Sequence, residues 1–281
     1  MSGTGGVRRQ FSVRVWGARG SVPVFGDQFR QFGGSTTCIE VRCGDHLLLF
    51  DAGSGLPPAG RAFKSEGATE AHLFFSHCHY DHIMGLPFFP MLFDPKASVT
   101  IWSGHLAGTM TTRDMVGSFM RPPWFPVEPD RYCSGMASRD FRSGDVLRPY
   151  RGVDIHTASL THPGGAIGYR IEWGGRVLAI VTDTEHAPGV LDPAVLGLIR
   201  DCDLFLYDST YTEAEMAHHR GYGHSTWDHA VLLAQAAGAR QAGFMHHAPW
   251  RTDDELLAME AQARAIFPAS FFAREGQVID L

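Results

Sequence analysis

The sequence predicts an α/β fold in which sheets are covered by helices. Three observations predict it. Short apolar strands are closed by glycine-rich or polar breaks, two segments of helical period lie near the C-terminus, and metal-capable side chains sit just past apolar strands. The strands-then-helix layout recurs in both halves, with no repeat at a fixed short period.

The elements follow in order. Phe11–Trp16 alternates apolar and polar residues and reads as a strand. Gly17–Thr37, rich in Gly and polar residues, reads as a loop. Cys38–Val41 and Leu47–Phe50 read as a hairpin pair around Cys43-Gly44-Asp45. Asp51-Ala-Gly-Ser-Gly55 then breaks the chain sharply at a strand end. Leu73–Phe75 and Val99–Trp102 are the next buried strands. The region 105–145 differs. Thr109–Arg121 has modest helical character, and the run Arg121-Pro-Pro-Trp-Phe-Pro-Val-Glu-Pro129 forbids regular structure. That aromatic, proline-rich loop is either an active-site wall or a packed surface loop.

The second half opens with strands at Asp154–Leu160, Ala166–Trp173 and, after Gly174-Gly175, Arg176–Val181. Leu204–Tyr207 is another, and Gly243–His246 is a short strand ending in two histidines. Helices are expected at Ser225–Ala237 and Asp253–Phe267, and the opening Thr252-Asp-Asp-Glu255 fits a capping box. The whole, residues 1–281, is read as one domain, with 105–145 as an insertion near the active site.

Composition narrows the classes. The formal charge is −6 over 281 residues, and 44% of the chain is hydrophobic, enough for a substantial core. Mild acidity argues against a broad nucleic-acid face and leaves room for one small phosphate-bearing substrate. The five cysteines, at 38, 43, 78, 133 and 202, are odd in number and match no zinc-knuckle spacing. Reduced thiols in the cytoplasm are the simplest reading. Arg8-Arg9 has no apolar stretch behind it, so a signal peptide is not expected, and no segment is long and apolar enough to span a bilayer.

The most informative segment is Phe75-Ser-His-Cys-His-Tyr-Asp-His-Ile83. His77, His79, Asp81 and His82, with Cys78, place five potential ligands within six positions at the end of an apolar strand. Neutral imidazole and carboxylate are usual ligands of zinc and similar divalent metals. Three more metal-capable residues, His162, Asp183 and His246, each follow an apolar strand, where α/β folds place their sites.

The order HxHxDH, then a distant His, Asp and His, resembles the metallo-β-lactamase superfamily, and the resemblance runs from Asp51 to His246. It implies an αββα sandwich with metals at one edge of two sheets. His77, His79 and His162 would hold one divalent ion. Asp81, His82 and His246 would hold another, with Asp183 bridging. Zinc is the expected metal, and manganese or iron would suit the same donors. Such a pair turns a shared water into a nucleophile near neutral pH, and Asp81 can orient that water. Asp51, ending a strand at a tight turn, would support the site from behind. Cys78 and His247 should point away by strand alternation. His72, His105, His156, His186, His218 and His219 show no partner pattern and read as structural.

Tyr207-Asp-Ser-Thr-Tyr211 and Gly223-His-Ser-Thr226 look like the paired motifs of the ribonuclease Z and cyclic-nucleotide phosphodiesterase branch. Carried over, His224 would protonate the leaving oxygen or stabilise phosphorane charge, and Asp208 would fix its tautomer and raise its basicity. Ser225 or Thr226 would also cap the following helix. Trp16-Gly-Ala-Arg-Gly-Ser21 and Gly33-Gly-Ser-Thr-Thr37 resemble a phosphodiesterase-like subgroup, which marks Arg19, Ser21 and Thr37 as substrate contacts. Trp124 and Phe125 could stack a base or belong to the core.

The expected function is a dinuclear metal-dependent phosphodiesterase acting on a small phosphodiester, such as a cyclic nucleotide or cyclic phosphate. The chain shows no basic arm, so no extended nucleic-acid surface and no membrane partner are expected. The family allows a homodimer. The alternatives are a lactonase, thioesterase, β-lactamase or ribonuclease of the same fold, or a non-catalytic sensor.

Overall fold

Two seven-stranded mixed sheets pack face to face in a computed structural model that describes residues 11–127, 129 and 135–281. Arg8, Arg9, Glu128 and Cys133 of the sequence reading lie outside the described residues. The first sheet contains β1 (Phe11–Gly17), β2 (Cys38–Cys43), β3 (His46–Phe50), β4 (Glu70–Phe75), β5 (Ser98–Ser103) and β6 (Gly135–Asp140) in sequential order. The second runs sequentially through β7 (Val146–Leu147), β8 (Asp154–Leu160), β9 (Ala166–Trp173), β10 (Arg176–Val181), β11 (Leu204–Asp208), β12 (Ala242–Met245) and β13 (Ser270–Phe272). The last strand, β14 (Val278–Asp280), returns to the first sheet and pairs antiparallel with β1.

Apolar runs become strands here because both faces are buried. In β3, Leu48 and Phe50 enter the core between the sheets, where they join Val13, Val41, Phe74, Ile155, Leu178 and Leu206. Leu47 and Leu49 of the same strand face the other way, under α1 (Leu56–Ser65) and α3 (Thr112–Phe119). Such a strand reads as a continuous apolar run rather than an alternation. The second sheet is covered by α4 (Pro193–Ile199), α6 (Trp227–Ala237) and α7 (Asp253–Ile266), packed on Ala179, Val181, Phe205 and Phe244. Helix, sheet, sheet, helix is the αββα sandwich that the resemblance implied.

Local chemistry sets the boundaries. Thr226, not Ser225, caps α6, because its side chain accepts from His229 N. The capping box of α7 is complete, with Thr252 and Glu255 satisfying one another's backbone. Helix α1 lies where the sequence showed only a chain break. Its prolines occupy the first turn, where no intrahelical donor is lost. The strands β13 and β14, with three residues each, are too short to show a period. Among the described residues no helix is long and apolar enough to cross a membrane.

Each sheet contains a parallel run, β3 to β6 in one and β10 to β13 in the other. The polar residues of interest lie at the C-terminal ends of strands in these runs. Asp51 follows β3, His77 follows β4, Asp183 follows β10, Asp208 closes β11 and His246 follows β12. His162 follows the antiparallel β8.

Candidate metal centre

After β4 the chain passes through Ser76–His79 into a single helical turn, α2 (Tyr80–Ile83). Asp51 ties both ends of this segment together. It accepts from Ser76 N at 2.7 Å, from Ser76 Oγ at 2.8 Å and from His82 Nδ1 at 2.9 Å. Since a carboxylate only accepts, His82 Nδ1 carries the proton and Nε2 is left facing the cluster. Asp51, Asp183 and His246 all adopt left-handed backbone, with φ of 61°, 53° and 61°. Non-glycine residues hold that conformation where the surroundings impose it, and here it redirects three strand ends toward one point.

Asp183 lies at that point. Its Oδ2 is 3.6 Å from His77 Nε2, 3.9 Å from His162 Nε2, 3.3 Å from His82 Nε2 and 3.3 Å from His246 Nε2. Two sets of donors therefore meet at one carboxylate. His77, His79 and His162 form the first, and Asp81, His82 and His246 with Asp183 form the second. A backbone carbonyl and a side-chain hydroxyl orient two of the rings from behind. His162 Nδ1 donates to Gly223 O at 2.8 Å, and Thr210 Oγ1 lies 2.9 Å from His246 Nδ1. Gly223 has φ 86°, and a Cβ there would stand 2.2 Å from His162 Nδ1, so no other residue permits this approach.

Orphaned buried atoms show whether cations fit. His77 Nε2, His82 Nε2 and Asp183 Oδ1 have no hydrogen-bond partner, although buried polar atoms ordinarily find one. His79 Nδ1 and His162 Nε2 approach to 3.0 Å, aimed at a common point. Protonation states agree. Burial, and the neighbouring His82, lower the His77 pKa well below its usual value, and burial lowers His79 and His162. Burial works against ionised Asp183 and Asp81, but the surrounding imidazoles outweigh it and hold both below the usual carboxylate range. Neutral imidazoles and ionised carboxylates are the forms that ligate metals. His82 differs. Burial disfavours its charge, yet Asp183, Asp81 and Asp51 raise its pKa well above normal. Three carboxylates around one imidazole call for a positive charge, which a divalent ion would supply in place of the proton. The donor set fits two divalent cations.

Asp183, Asp208, His224 and His246 form a third possible grouping. Asp208 has little left to offer an ion. Its Oδ1 accepts from Thr210 N at 3.1 Å and Thr210 Oγ1 at 2.8 Å, while Oδ2 accepts from His224 Nδ1 at 2.8 Å and Thr184 N at 3.2 Å. The pair Asp208–His224 instead resembles an oriented acid. Burial lowers the imidazole's pKa, but Asp208 outweighs burial and raises it to about 9. His224 stacks on His246 at 4.7 Å between ring centres, so its free nitrogen stands beside the proposed ligands.

A cavity of about 680 Å³ opens over this centre. His79, Asp81, Asp183, His224 and His246 line one side, and Tyr80, Leu106, Met110, Met115, Phe119 and Trp124 line the other. Among the described residues no Lys or Arg lines it. A larger cavity, about 870 Å³, lies across α3 against Arg113 and Arg121 and contains none of the clustered ligands.

The structure distributes the anticipated substrate contacts unevenly. Ser21 lines the cavity and donates its backbone N–H to Asp81 Oδ2 at 2.8 Å. Trp124 lines the cavity and is 78% exposed. Phe125 packs edge-on against Phe88 at 5.7 Å, behind that wall. Arg19 is fully buried and donates to Gly33 O at 2.8 Å and Arg251 O at 2.6 Å, so its guanidinium holds loops together. Thr37 is fully buried, and its carbonyl accepts from Gly53 N. A glycine-rich stretch with Arg and Thr looks the same in sequence whether it cradles phosphate or clamps the chain. Cys78 lines the cavity without joining any ligand group. The contacts of Thr210 and of the Gly223 carbonyl were not anticipated, because they act across separations of 36 and 61 residues and leave no local signal. Most of the apolar wall comes from the 105–145 region, including Trp124 of the proline-rich loop.

Known proteins place this geometry. The family model described as "Beta-lactamase superfamily domain" matches residues 46–247. A ribonuclease Z of Bradyrhizobium sp. is 26% identical over 84% of this chain and 91% of its own length. The metallo-β-lactamase fold protein YhfI of Bacillus subtilis superposes with a TM-score of 0.72 at 18% identity, over 97% of this chain and 100% of that one. The short form of human tRNase Z gives a TM-score of 0.66 at 18% identity, over 95% and 98%. The relatives named for RNA cleavage overturn the expectation of a small phosphodiester partner with no extended nucleic-acid surface. That expectation rested on the formal charge of −6 and the lack of a basic arm. A whole-chain charge sums over every face and does not decide what one groove accepts.

Proposed function

We infer the reaction from the family: the chain belongs to the metallo-β-lactamase superfamily, on its ribonuclease Z-like branch, and is a metal-dependent hydrolase. The bond it cleaves is the phosphodiester bond of RNA. The observation that carries this reading is the 2.8 Å pair His224–Asp208, set against the ligand cluster. An oriented proton donor beside the metal ligands suits a phosphodiester, whose departing ribose oxygen must take up a proton. The relatives named ribonuclease Z supply the substrate class. The four described cysteines are free, which supports a reducing compartment, the cytoplasm.

In this reading His77, His79 and His162 would hold one divalent cation, and Asp81, His82 and His246 would hold a second, with Asp183 within reach of both sets. Imidazole and carboxylate donors suit zinc. The chemistry two such cations supply is a water ionised near neutral pH and neutralised charge at a phosphoryl oxygen. The chain does the rest. Asp81 is held by Ser21 N and orients the attacking water. Asp208 accepts from His224 Nδ1, which leaves the opposite ring nitrogen to give its proton to the departing ribose oxygen. Asp208, hydrogen-bonded to Nδ1, raises the His224 pKa and so favours the protonated ring that can give up this proton. The apolar wall of Leu106, Met110 and Met115 excludes bulk water from one side.

The test uses protein loaded with zinc or manganese. Bis-p-nitrophenyl phosphate and a panel of structured RNAs are assayed beside a simple lactone and nitrocefin. Metal-dependent turnover of the phosphodiester and of at least one RNA is expected. Lactone or nitrocefin turnover, with none of the phosphodiester when both metals are bound, would sink the reading.

A further inference from the structure

A group of aromatic rings outside the cavity has no part in the chemistry above. Tyr211 is buried and meets His224 edge-on at 5.9 Å between ring centres. His219 lies over Tyr211 at 4.3 Å with the planes 22° apart. Trp250 is nearly parallel to both, at 26° to Tyr211 and 28° to His219, with centres 6.4 Å and 6.5 Å away. Tyr222 stands edge-on to His219 at 83° and 5.6 Å. The inner members are anchored and the outer ones are open. Trp250 is 51% exposed and Tyr222 61%.

The frame beneath these rings is rigid. Tyr211 N donates to Ser225 O, beside the His224 backbone. His219 Nδ1 donates to Glu215 O at 2.8 Å, within α5 (Glu213–His219). Glu215 closes the capping box of that helix and accepts from Arg251 Nη2 at 2.8 Å, and Arg251 is next to Trp250. The His219 ring is thus held by backbone rather than by a ligand, and the chain beside Trp250 is tied to α5 by the Arg251–Glu215 pair, as in a preorganised site.

We propose that His219, Tyr222 and Trp250 form a subsite that stacks an unpaired nucleobase of the RNA on the leaving-group side of the scissile phosphate. The inference rests on the reading of RNA as substrate. Three features favour this occupant. The exposed surface is made of flat π faces with polar edges (indole, imidazole and phenol), not of branched aliphatic groups, so it suits a planar heterocycle. Trp250, His219 and Tyr211 lie within 28° of parallel, as stacking demands, and Tyr222 borders them edge-on. Trp250 is one ring removed from His224, the group that meets the leaving oxygen, so the adjoining nucleotide falls within its reach. A base held inside a duplex could not present its face here, so the subsite selects single-stranded RNA.

The test compares wild type, Trp250→Ala, Trp250→Phe and Tyr222→Ala, all metal-loaded. A cleavage-resistant phosphorothioate single-stranded oligoribonucleotide is titrated by fluorescence anisotropy. The same oligomer annealed into a duplex and a mononucleotide serve as competitors. Trp250→Ala should weaken single-strand binding about 10-fold or more, Tyr222→Ala less, and Trp250→Phe should recover most of the loss. The duplex should compete poorly in wild type and be indifferent to Trp250. Single-strand affinity within about twofold of wild type in both alanine variants overturns the subsite, as does wild type failing to bind the oligomer. A mononucleotide that competes as well as the oligomer overturns the RNA as its source. RNA turnover, measured separately, divides the two claims. A Trp250-dependent affinity without RNA cleavage leaves the subsite standing and removes the proposed reaction. Cleavage without Trp250 dependence of affinity or KM does the reverse.

Discussion

Two histidines in this molecule are each backed by a carboxylate at a strand end, in nearly the same geometry. At the end of β3, Asp51 accepts from His82 Nδ1 at 2.9 Å, and at the end of β11, Asp208 accepts from His224 Nδ1 at 2.8 Å. Their surroundings differ. The far nitrogen of His82 is sealed among Asp81 and Asp183 with no hydrogen-bond partner, whereas His224 borders the open cavity. A carboxylate behind an imidazole fixes tautomer and orientation. What lies in front decides whether the ring binds metal or moves a proton.

Variants can break that comparison. The largest effect is expected at Asp183, where both ligand sets meet. Asp183→Ala should lose bound metal and essentially all phosphodiester turnover, read by metal analysis of the purified protein beside the assay. Retention of two metals would end the bridging role. His224→Ala should keep its metal and lose about 10²- to 10⁴-fold in kcat. Metal loss in that variant would place His224 among the ligands and dissolve the distinction drawn above. Asp51→Ala should show the opposite pattern, with metal affinity about 10- to 100-fold weaker and activity restored by excess metal. Asp208→Asn, by contrast, should lower kcat at saturating metal, and restoration of its activity by metal would contradict the contrast.

A third histidine, with no carboxylate hydrogen-bonded to either nitrogen, sharpens the point at the smallest scale. His229 stacks on His186 at 3.9 Å, and its Nε2 is buried without a partner. Burial, then His186 and Arg220, depress its pKa to about 4. The sign follows. The unfolded chain, with histidine near its ordinary value of about 6.5, takes up the proton first on acidification. Stability from this site is therefore complete above about 6.5 and falls as the pH drops toward 4, by on the order of 2 kcal/mol. His229→Gln should flatten that limb of the stability–pH curve in urea titrations. An unchanged acid limb would show that His229 is not its source.

Much of the fold was legible because burial leaves a pattern. Leu47–Phe50, Ala166–Trp173 and Arg176–Val181 read as strands since apolar runs of that length suit sheets covered on both sides. Helix α7 read correctly because its cap is written in adjacent residues. Helices α1, α4 and α5 did not. Their lengths of 10, 7 and 7 residues are stabilised by packing more than by period. In the candidate site, His77, His79, Asp81 and His82 stand out because one short segment carries them. His162, Asp183 and His246 could be singled out only as strand ends in a familiar order. Arg19 and Thr37 were read as phosphate contacts, yet both are fully buried, and exposure is not written in a glycine-rich sequence.

Residue types and their order alone supplied the inventory: a dense ligand segment, distant metal-capable residues at strand ends, and a histidine two positions before a helix cap, paired by motif with an aspartate. Ligand chemistry and residue type are local properties, so a linear chain displays them. The tertiary structure alone decided convergence. Asp183 Oδ2 reaches four imidazoles drawn from three separate segments, and Trp250 comes to lie one ring from His224. Those distances follow from two sheets packing face to face, with their parallel runs delivering strand ends to a common edge. No local spacing encodes that packing, because it arises from burying one sheet's apolar face against the other.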